Sequence, residues 1–197
     1  MFKRRYILPF FVIIALALSA RFLPGERTID DAFITYRYAR NILAGEGFVY
    51  NPGERVQGTT TPLYTLLMVT LGAPGGAAAN FPAIALAVNA LADAITALLL
   101  WQIGKRLKYP YAGIAAGLLW AMAPFSVTFA IGGLETSLYV LLLTATVYAH
   151  ISKKHTLAAG LAALSLLTRP DALLLLAPLA LDRIIFNLQP ANQPKTG

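Results

Sequence analysis

Apolar residues gather in long runs along this chain, and the runs predict membrane helices. Residues 6–20, 83–104, 111–131, 134–151, 156–168 and 172–185 form six such runs with almost no charge. A helix needs roughly 20 apolar residues to cross a bilayer, and 83–104 and 111–131 reach that length, the second interrupted by Pro124. A seventh run, 62–71, is too short to cross, and Gly72, Pro74, Gly75 and Gly76 break it. It reads as a helix lying in, or dipping into, the interface. Residues 6–20 follow a basic head of Lys3, Arg4 and Arg5. A basic head and short apolar core also describe a cleavable signal peptide, and small residues stand at 15–20. The apolar runs that follow favour a retained helix.

The first polar interval, 21–61, is the longest, and it belongs to a loop spanning 21–82. Within it, Phe33, Tyr36, Ile42 and Leu43 recur near helical spacing, which predicts a short helix over 31–44. Gly45 and Gly47 stop it. Phe48–Val49–Tyr50 then runs into the turn Asn51–Pro52–Gly53. The tail, 189–197, is polar, carries two prolines and is expected to be disordered. The domain organisation that follows is one membrane module over 1–188 and that tail.

Composition sharpens the picture. Of 197 residues, 57% are apolar and 13% charged, against about 25% charged in a typical soluble domain. One small globule cannot hide that much apolar surface, so lipid is its natural solvent. A net charge of +7 would suggest nucleic acid in a soluble protein. Here the basic residues cluster between apolar runs, as membrane proteins place them, so no nucleic-acid partner is expected. Cysteine is absent, which excludes disulfides, a thiol nucleophile and cysteine metal sites.

Charge also sets an expected topology. With the N-terminus cytoplasmic and 62–71 not crossing, all six lysines fall inside, at Lys3, Lys105, Lys108, Lys153, Lys154 and Lys195. Letting 62–71 cross would move five of them outside. The same topology puts seven of the nine acids outside: Glu26, Asp30, Asp31, Glu46, Glu54, Glu135 and Asp171. The expected fold class is therefore all-α, a polytopic membrane bundle of about six transmembrane helices with a long extracytoplasmic first loop.

Several groups on that face carry candidate chemistry. Asp30 and Asp31 open the predicted short helix. Paired carboxylates there can supply a general base. Thr28-x-x-Asp31 also matches a capping box, which accounts for Asp31 better than Asp30. Arg37 and Arg40, one turn apart, can hold a phosphate or simply face lipid headgroups. Glu135 follows Gly132–Gly133 at the mouth of a helix, where it can touch substrate or favour the helix N-terminus. Arg169–Pro170–Asp171 turns one run into the next, and Arg169 can meet an anion. Asp93 lies mid-helix and should face the bundle interior in a structural contact, or be protonated. His150 and His155 lie on the inner side and receive no ligand role. No nucleotide-binding or zinc motif is present.

The string from Asp30 through Asn41 (DDAFITYRYARN) and its sequel from Gly45 to Leu63 (GEGFVYNPGERVQGTTTPL) resemble the first outer loop of a known enzyme group. That group is the GT-C-fold glycosyltransferases that use polyprenyl-phosphate sugars. It includes terminal arabinofuranosyltransferases and dolichyl-phosphate-mannose mannosyltransferases. The motifs Gly132–Gly133–Leu134–Glu135–Thr136 and Leu167–Thr168–Arg169–Pro170–Asp171 recur there in the same order, so the likeness covers most of 28–175. It implies a multi-helix bundle with its active site on the outer face. It implies a lipid-linked sugar donor, a glycan, lipid or protein acceptor, and inversion at the sugar. An acid of the first loop would be the base: Asp30 or Asp31, with Asp30 favoured because Asp31 has the competing capping role. Arg37, Arg40 or Arg169 would stabilise the leaving phosphate, and Glu135 and Asp171 would orient the acceptor or support Arg169. No cofactor is implied beyond that donor, and a divalent-metal requirement is left undecided. Family members are much longer, so the likeness is to their N-terminal part, and a membrane partner can supply further helices.

Two other readings stand beside this one. A noncatalytic membrane subunit on the same scaffold would tolerate changes at Asp30, Asp31 and Arg169. A small transporter would draw on Asp93, although no internal repeat of the transporter kind is visible.

Overall fold

The computed structural model is helical throughout its regular elements, and it describes residues 6–54, 56 and 58–188, with side chains through Ile185. The basic head 1–5 and the tail 189–197 lie outside the described residues. The helices are α1 (Ile7–Phe22), α2 (Asp30–Leu43), α3 (Pro62–Gly72), α4 (Phe81–Arg106), α5 (Pro110–Met122), α6 (Pro124–Ile131), α7 (Thr136–Ile151), α8 (His155–Thr168) and α9 (Leu173–Leu188). Prolines stand in the first turns of α3, α4, α5 and α6, where a missing N–H costs nothing. Asn80 caps α4 by accepting from the Ala83 amide at 3.2 Å.

Only α4, with 26 residues, is by itself long and apolar enough to cross a membrane among the described residues. The pair α5–α6, bent by 46° at Pro124, passes that test as one broken span. Helices α1, α7 and α8 are apolar but only 16, 16 and 14 residues long. The six expected runs are thus all helical, but of unequal length.

Helix α4 is the hub, packing against α1, α5, α6 and α7. Its buried face is built from small residues, including Ala85, Ala90, Ala94 and Ala97. Small residues let helix backbones approach closely, and α4 and α5 use this fully. A Cβ added at Gly104 would lie 2.5 Å from the Gly113 Cα, and one at Gly117 would lie 2.6 Å from the Ala97 carbonyl oxygen. Replacing Gly117 by Leu is therefore expected to destabilise the detergent-solubilised protein by about 2 kcal/mol through overpacking. Gly160 of α8 is the control, because an added Cβ there would meet nothing within 4 Å. Gly160→Leu should leave the denaturant midpoint nearly unchanged.

The bundle has two distinct ends. At one, the Lys105 ammonium lies over the Tyr6 and Trp101 rings at 5.7 and 5.4 Å, and Arg106 lies over Tyr148 at 5.6 Å. These contacts gather the start of α1 and the ends of α4 and α7. At the other end, α2 and α3 lie across the bundle. Their buried residues Ala32, Tyr36, Ala39, Tyr64 and Met68 pack with Phe81 and Ala85 of α4.

Two features depart from the sequence reading. Arg21, placed there at the start of the polar interval, instead closes the last turn of α1 and is fully buried. It has a partner inside the bundle, Asp93. The capping box at Thr28 and Asp31 is also absent. Helix α2 begins at Asp30, its N-cap is Ile29, and no side chain caps it. The reason is tertiary. Arg27 donates its amide to Ile131 O at 2.8 Å, and Ile29 donates to Gly132 O at 3.0 Å. These bonds hold the approach to α2 extended along the α6–α7 turn, which sets where the helix can start.

Candidate functional site

The second bundle end owes its shape to α2. On one side of this helix Arg37 donates to Tyr50 O at 2.9 Å and to Asn51 Oδ1 at 2.7 Å, with its guanidinium over the Tyr50 ring at 4.4 Å. Asn41 donates to the carbonyls of Val49 and Tyr50, both at 2.9 Å. The Tyr38 hydroxyl donates to Val56 O at 2.9 Å and accepts from the Gly58 amide at 2.7 Å. The chain is thereby held against the helix at Val49, Tyr50, Asn51, Val56 and Gly58. It delivers Thr59, Thr60 and Thr61 to the helix's other flank, where Thr61 lies 3.5 Å from Thr35, hydroxyl to hydroxyl.

The turn between α6 and α7 is held from three directions. Tyr36 and Tyr64 point their hydroxyls at Gly133 O, at 3.3 and 3.2 Å. Asn89 of α4 donates to Ala130 O at 3.2 Å and Leu134 O at 2.8 Å. Burial, aided by the Glu26 charge, pushes the Tyr36 phenol above its usual range, and burial does the same for Tyr64. Both therefore remain protonated donors. Gly133 has φ +79°, a conformation that glycine adopts without steric cost.

Between these parts lies an open cavity of about 340 Å³. Asp31, Glu135 and Arg169 line it, together with the threonines at 35, 59, 60, 61 and 136. Arg169 sits between two carboxylates. Its Nε donates to Asp171 Oδ1 at 3.1 Å, its Nη1 reaches Glu135 Oε1 at a long 3.5 Å, and its guanidinium lies 5.5 Å from the Tyr139 ring centre. The pairs are partly exposed, so solvent weakens them. Their effect is to fix directions: Arg169 and Glu135 are oriented toward each other at the cavity wall. The chemistry available is one carboxylate on α2, a second across the cavity, a cation beside it, and a set of hydroxyls. That set suits a polyhydroxylated ligand carrying an anion.

The sequence candidates thus divide. Asp31, Glu135 and Arg169 meet at one cavity, and Asp171 supports Arg169 from outside it. Asp30 is exposed and does not line the cavity. The preference for Asp30 rested on a capping role for Asp31, and Asp31 caps nothing. Arg37 is a strut of the loop, and Arg40 stands exposed in the last turn of α2; neither lines this cavity. Asp93 is wholly buried, accepting from Arg21 Nε at 2.8 Å and from Ser137 Oγ at 3.0 Å. That pairing gives it the structural contact expected of a charge inside a bundle. No group of three or more His, Cys, Asp or Glu is placed to hold a metal ion among the described residues.

Sequence reasoning passed over Tyr36, Tyr64 and Asn89 as the clamp, and the threonine run as cavity wall. Asn89 was the most readable of these, as an uncharged polar residue inside an apolar helix. The threonines stood in the loop string without an assigned role.

No family model matches the chain, and no solved structure matches it. A terminal β-(1→2)-arabinofuranosyltransferase of Mycobacterium tuberculosis is 34% identical over 116 residues, which cover 55% of this chain. The chain spans only 18% of that relative's length. Over this stretch the similarity supports a relationship between the chain and a glycosyltransferase.

Proposed function

We propose that this chain carries the outer-loop site of a membrane glycosyltransferase. The enzyme moves a sugar from a polyprenyl-phosphate donor to an acceptor hydroxyl on a glycan, lipid or protein. The chain lies in the cell membrane as a GT-C-like bundle of about six spans, with the lysine-rich end cytoplasmic and the cavity extracytoplasmic. Large apolar side chains left exposed around the bundle, such as Leu8, Phe11, Leu119, Phe125 and Leu174, support a lipid setting.

The observation that carries the reading is the meeting of Asp31, Glu135 and Arg169, from three separate sequence motifs, at one hydroxyl-lined cavity. Asp31 acts as the base: it takes the proton of the acceptor hydroxyl as that oxygen attacks the anomeric carbon. The bond from that carbon to the donor phosphate oxygen breaks, and polyprenyl phosphate departs. Attack opposite the leaving group inverts the sugar. Arg169 offsets the charge that develops on the departing phosphate, while Glu135 and Asp171 hold Arg169 and contact sugar hydroxyls.

The test uses membranes from cells carrying the gene in its native context, supplied with a polyprenyl-phosphate sugar labelled in the sugar. Asp31→Asn should lower label transfer about a hundredfold at unchanged protein level, while Asp30→Asn stays near wild type. Wild-type transfer by Asp31→Asn would refute the assignment.

A further inference from the structure

The opposite end of the bundle holds a second feature that the sugar-transfer chemistry does not use. Helices α8 and α9 are joined at the Arg169 corner, and at the far end α9 is tied instead to α7, where His150 Nε2 and Asp182 Oδ2 lie 3.0 Å apart. Between these ties α8 and α9 leave an apolar cleft of about 400 Å³, walled by Ala158, Ala162 and Leu166 of α8 and by Leu176 and Leu179 of α9. Beside the cleft is a mouth of about 360 Å³ lined by Ile151 and by the charged and imidazole residues His150, Lys153, His155, Asp182 and Arg183. His150, His155 and Arg183 line both, so the two spaces adjoin.

We propose that this cleft binds an anionic phospholipid of the cytoplasmic leaflet, with its headgroup phosphate at Lys153 and Arg183 and an acyl chain between α8 and α9. This rests on the membrane reading above, and not on the sugar-transfer step. Charge and shape together select the occupant. A partner helix would fill an apolar cleft but has no need of a cationic mouth. A free phosphate would use the mouth but leave the alanine and leucine walls bare to lipid or water. An anionic amphiphile satisfies both, since basic pockets between transmembrane helices on the cytoplasmic side suit phosphate headgroups. The mouth carries two basic side chains, Lys153 and Arg183, and one carboxylate, Asp182, which is paired with His150.

Native mass spectrometry of the detergent-purified chain tests this with phosphatidylglycerol, phosphatidylcholine and inorganic phosphate as probes. Phosphatidylglycerol should bind at least fivefold tighter than phosphatidylcholine, and inorganic phosphate should not compete at millimolar concentration. Lys153→Gln combined with Arg183→Gln should lose about tenfold in phosphatidylglycerol affinity, with phosphatidylcholine unaffected. Should the double variant not fold, Lys153→Gln alone should lose severalfold. Ala162→Phe, which fills the cleft, should abolish retention of both lipids. Equal binding of the two lipids, or undiminished phosphatidylglycerol binding by both the charge and cleft variants, would overturn the proposal. Carbonate extraction of cell membranes reports insertion separately. A chain released by carbonate sinks the membrane reading itself, whereas an inserted chain without lipid selectivity sinks only this site.

Discussion

Replacing Arg21 by Met is expected to destabilise the protein by about 3–5 kcal/mol. The guanidinium is completely buried, and it donates to Asp93 Oδ2 at 2.8 Å, to Ala17 O at 2.9 Å and to Ala121 O at 2.7 Å, with a further bond to Ser126 Oγ. One side chain thus ties α1 to α4, to the end of α5 and to α6. Methionine keeps much of the volume but takes away the cation and its hydrogen bond from a buried Asp93 carboxylate, which keeps the Ser137 hydroxyl as a donor. An uncompensated charge in such a place is the costly outcome. Removing the pair by groups of similar volume is far cheaper. The variant Arg21→Met with Asp93→Leu should therefore recover more than half of the loss. Denaturant midpoints of wild type, both single variants and the double variant close the thermodynamic cycle. A single Arg21→Met variant as stable as wild type would show that the pair does not hold the bundle.

The second large effect is expected at Gly133. Two costs coincide there. A non-glycine residue at φ +79° costs about 1–2 kcal/mol. A Cβ at this position would also lie 2.0 Å from the Tyr36 hydroxyl oxygen, so the phenol must leave, and a buried polar group loses its partner at a further cost of about 1–3 kcal/mol. Gly133→Ala should lose about 2–5 kcal/mol in all. Gly45 separates the two costs. Its φ is +84°, but nothing lies within 4 Å of an added Cβ. Gly45→Ala should lose only the conformational part, about 1–2 kcal/mol. If Gly133→Ala and Gly45→Ala shift the midpoint equally, the packing of Tyr36 against the turn is not the clamp described. Because Glu135 follows this turn, Gly133→Ala should also reduce sugar transfer in the membrane assay even at temperatures where the protein remains folded.

Both results turn on contacts between residues far apart in the chain, and that is where sequence reading stopped. The helices were legible because each apolar run is long and punctuated by proline or glycine. Helix α3 was expected over 62–71 and extends to Gly72; α2 was expected over 31–44 and runs Asp30–Leu43. The one-residue displacement at its start has a cause that no local pattern contains, the hydrogen bonds of residues 27 and 29 to the α6–α7 turn. A capping box is a local motif, and here a tertiary tether took its place. Arg21 was similarly misassigned to the polar loop, because its charge is visible in the sequence and its partner 72 positions away is not.

For the candidate site, the charged residues are named from motifs and expected together on one face, but which of them line one cavity is not legible in the sequence. Asp31, Glu135 and Arg169 were each readable as unusual residues at helix mouths. Which acid of the Asp30–Asp31 pair borders the cavity depends on the rotation of α2, and that rotation is fixed by Tyr36 and Ala39 packing on α3 and α4. Neighbouring residues on a helix point about 100° apart, so composition alone cannot choose between them. Arg37 shows the converse. Its motif suggested an anion, and the fold spends it on Tyr50 and Asn51 to shape the loop.

The order of apolar and polar runs was enough to specify an all-helical chain with a folded loop between its first two long apolar runs. Most of the acids and the lysines also fall in different polar intervals between the apolar runs. What the packed chain added is direction. Helix rotation, the clamp of Tyr36, Tyr64 and Asn89 on the α6–α7 turn and the burial of Arg21 against Asp93 follow from close contact between distant segments, where a single Cβ or hydroxyl decides which neighbour fits.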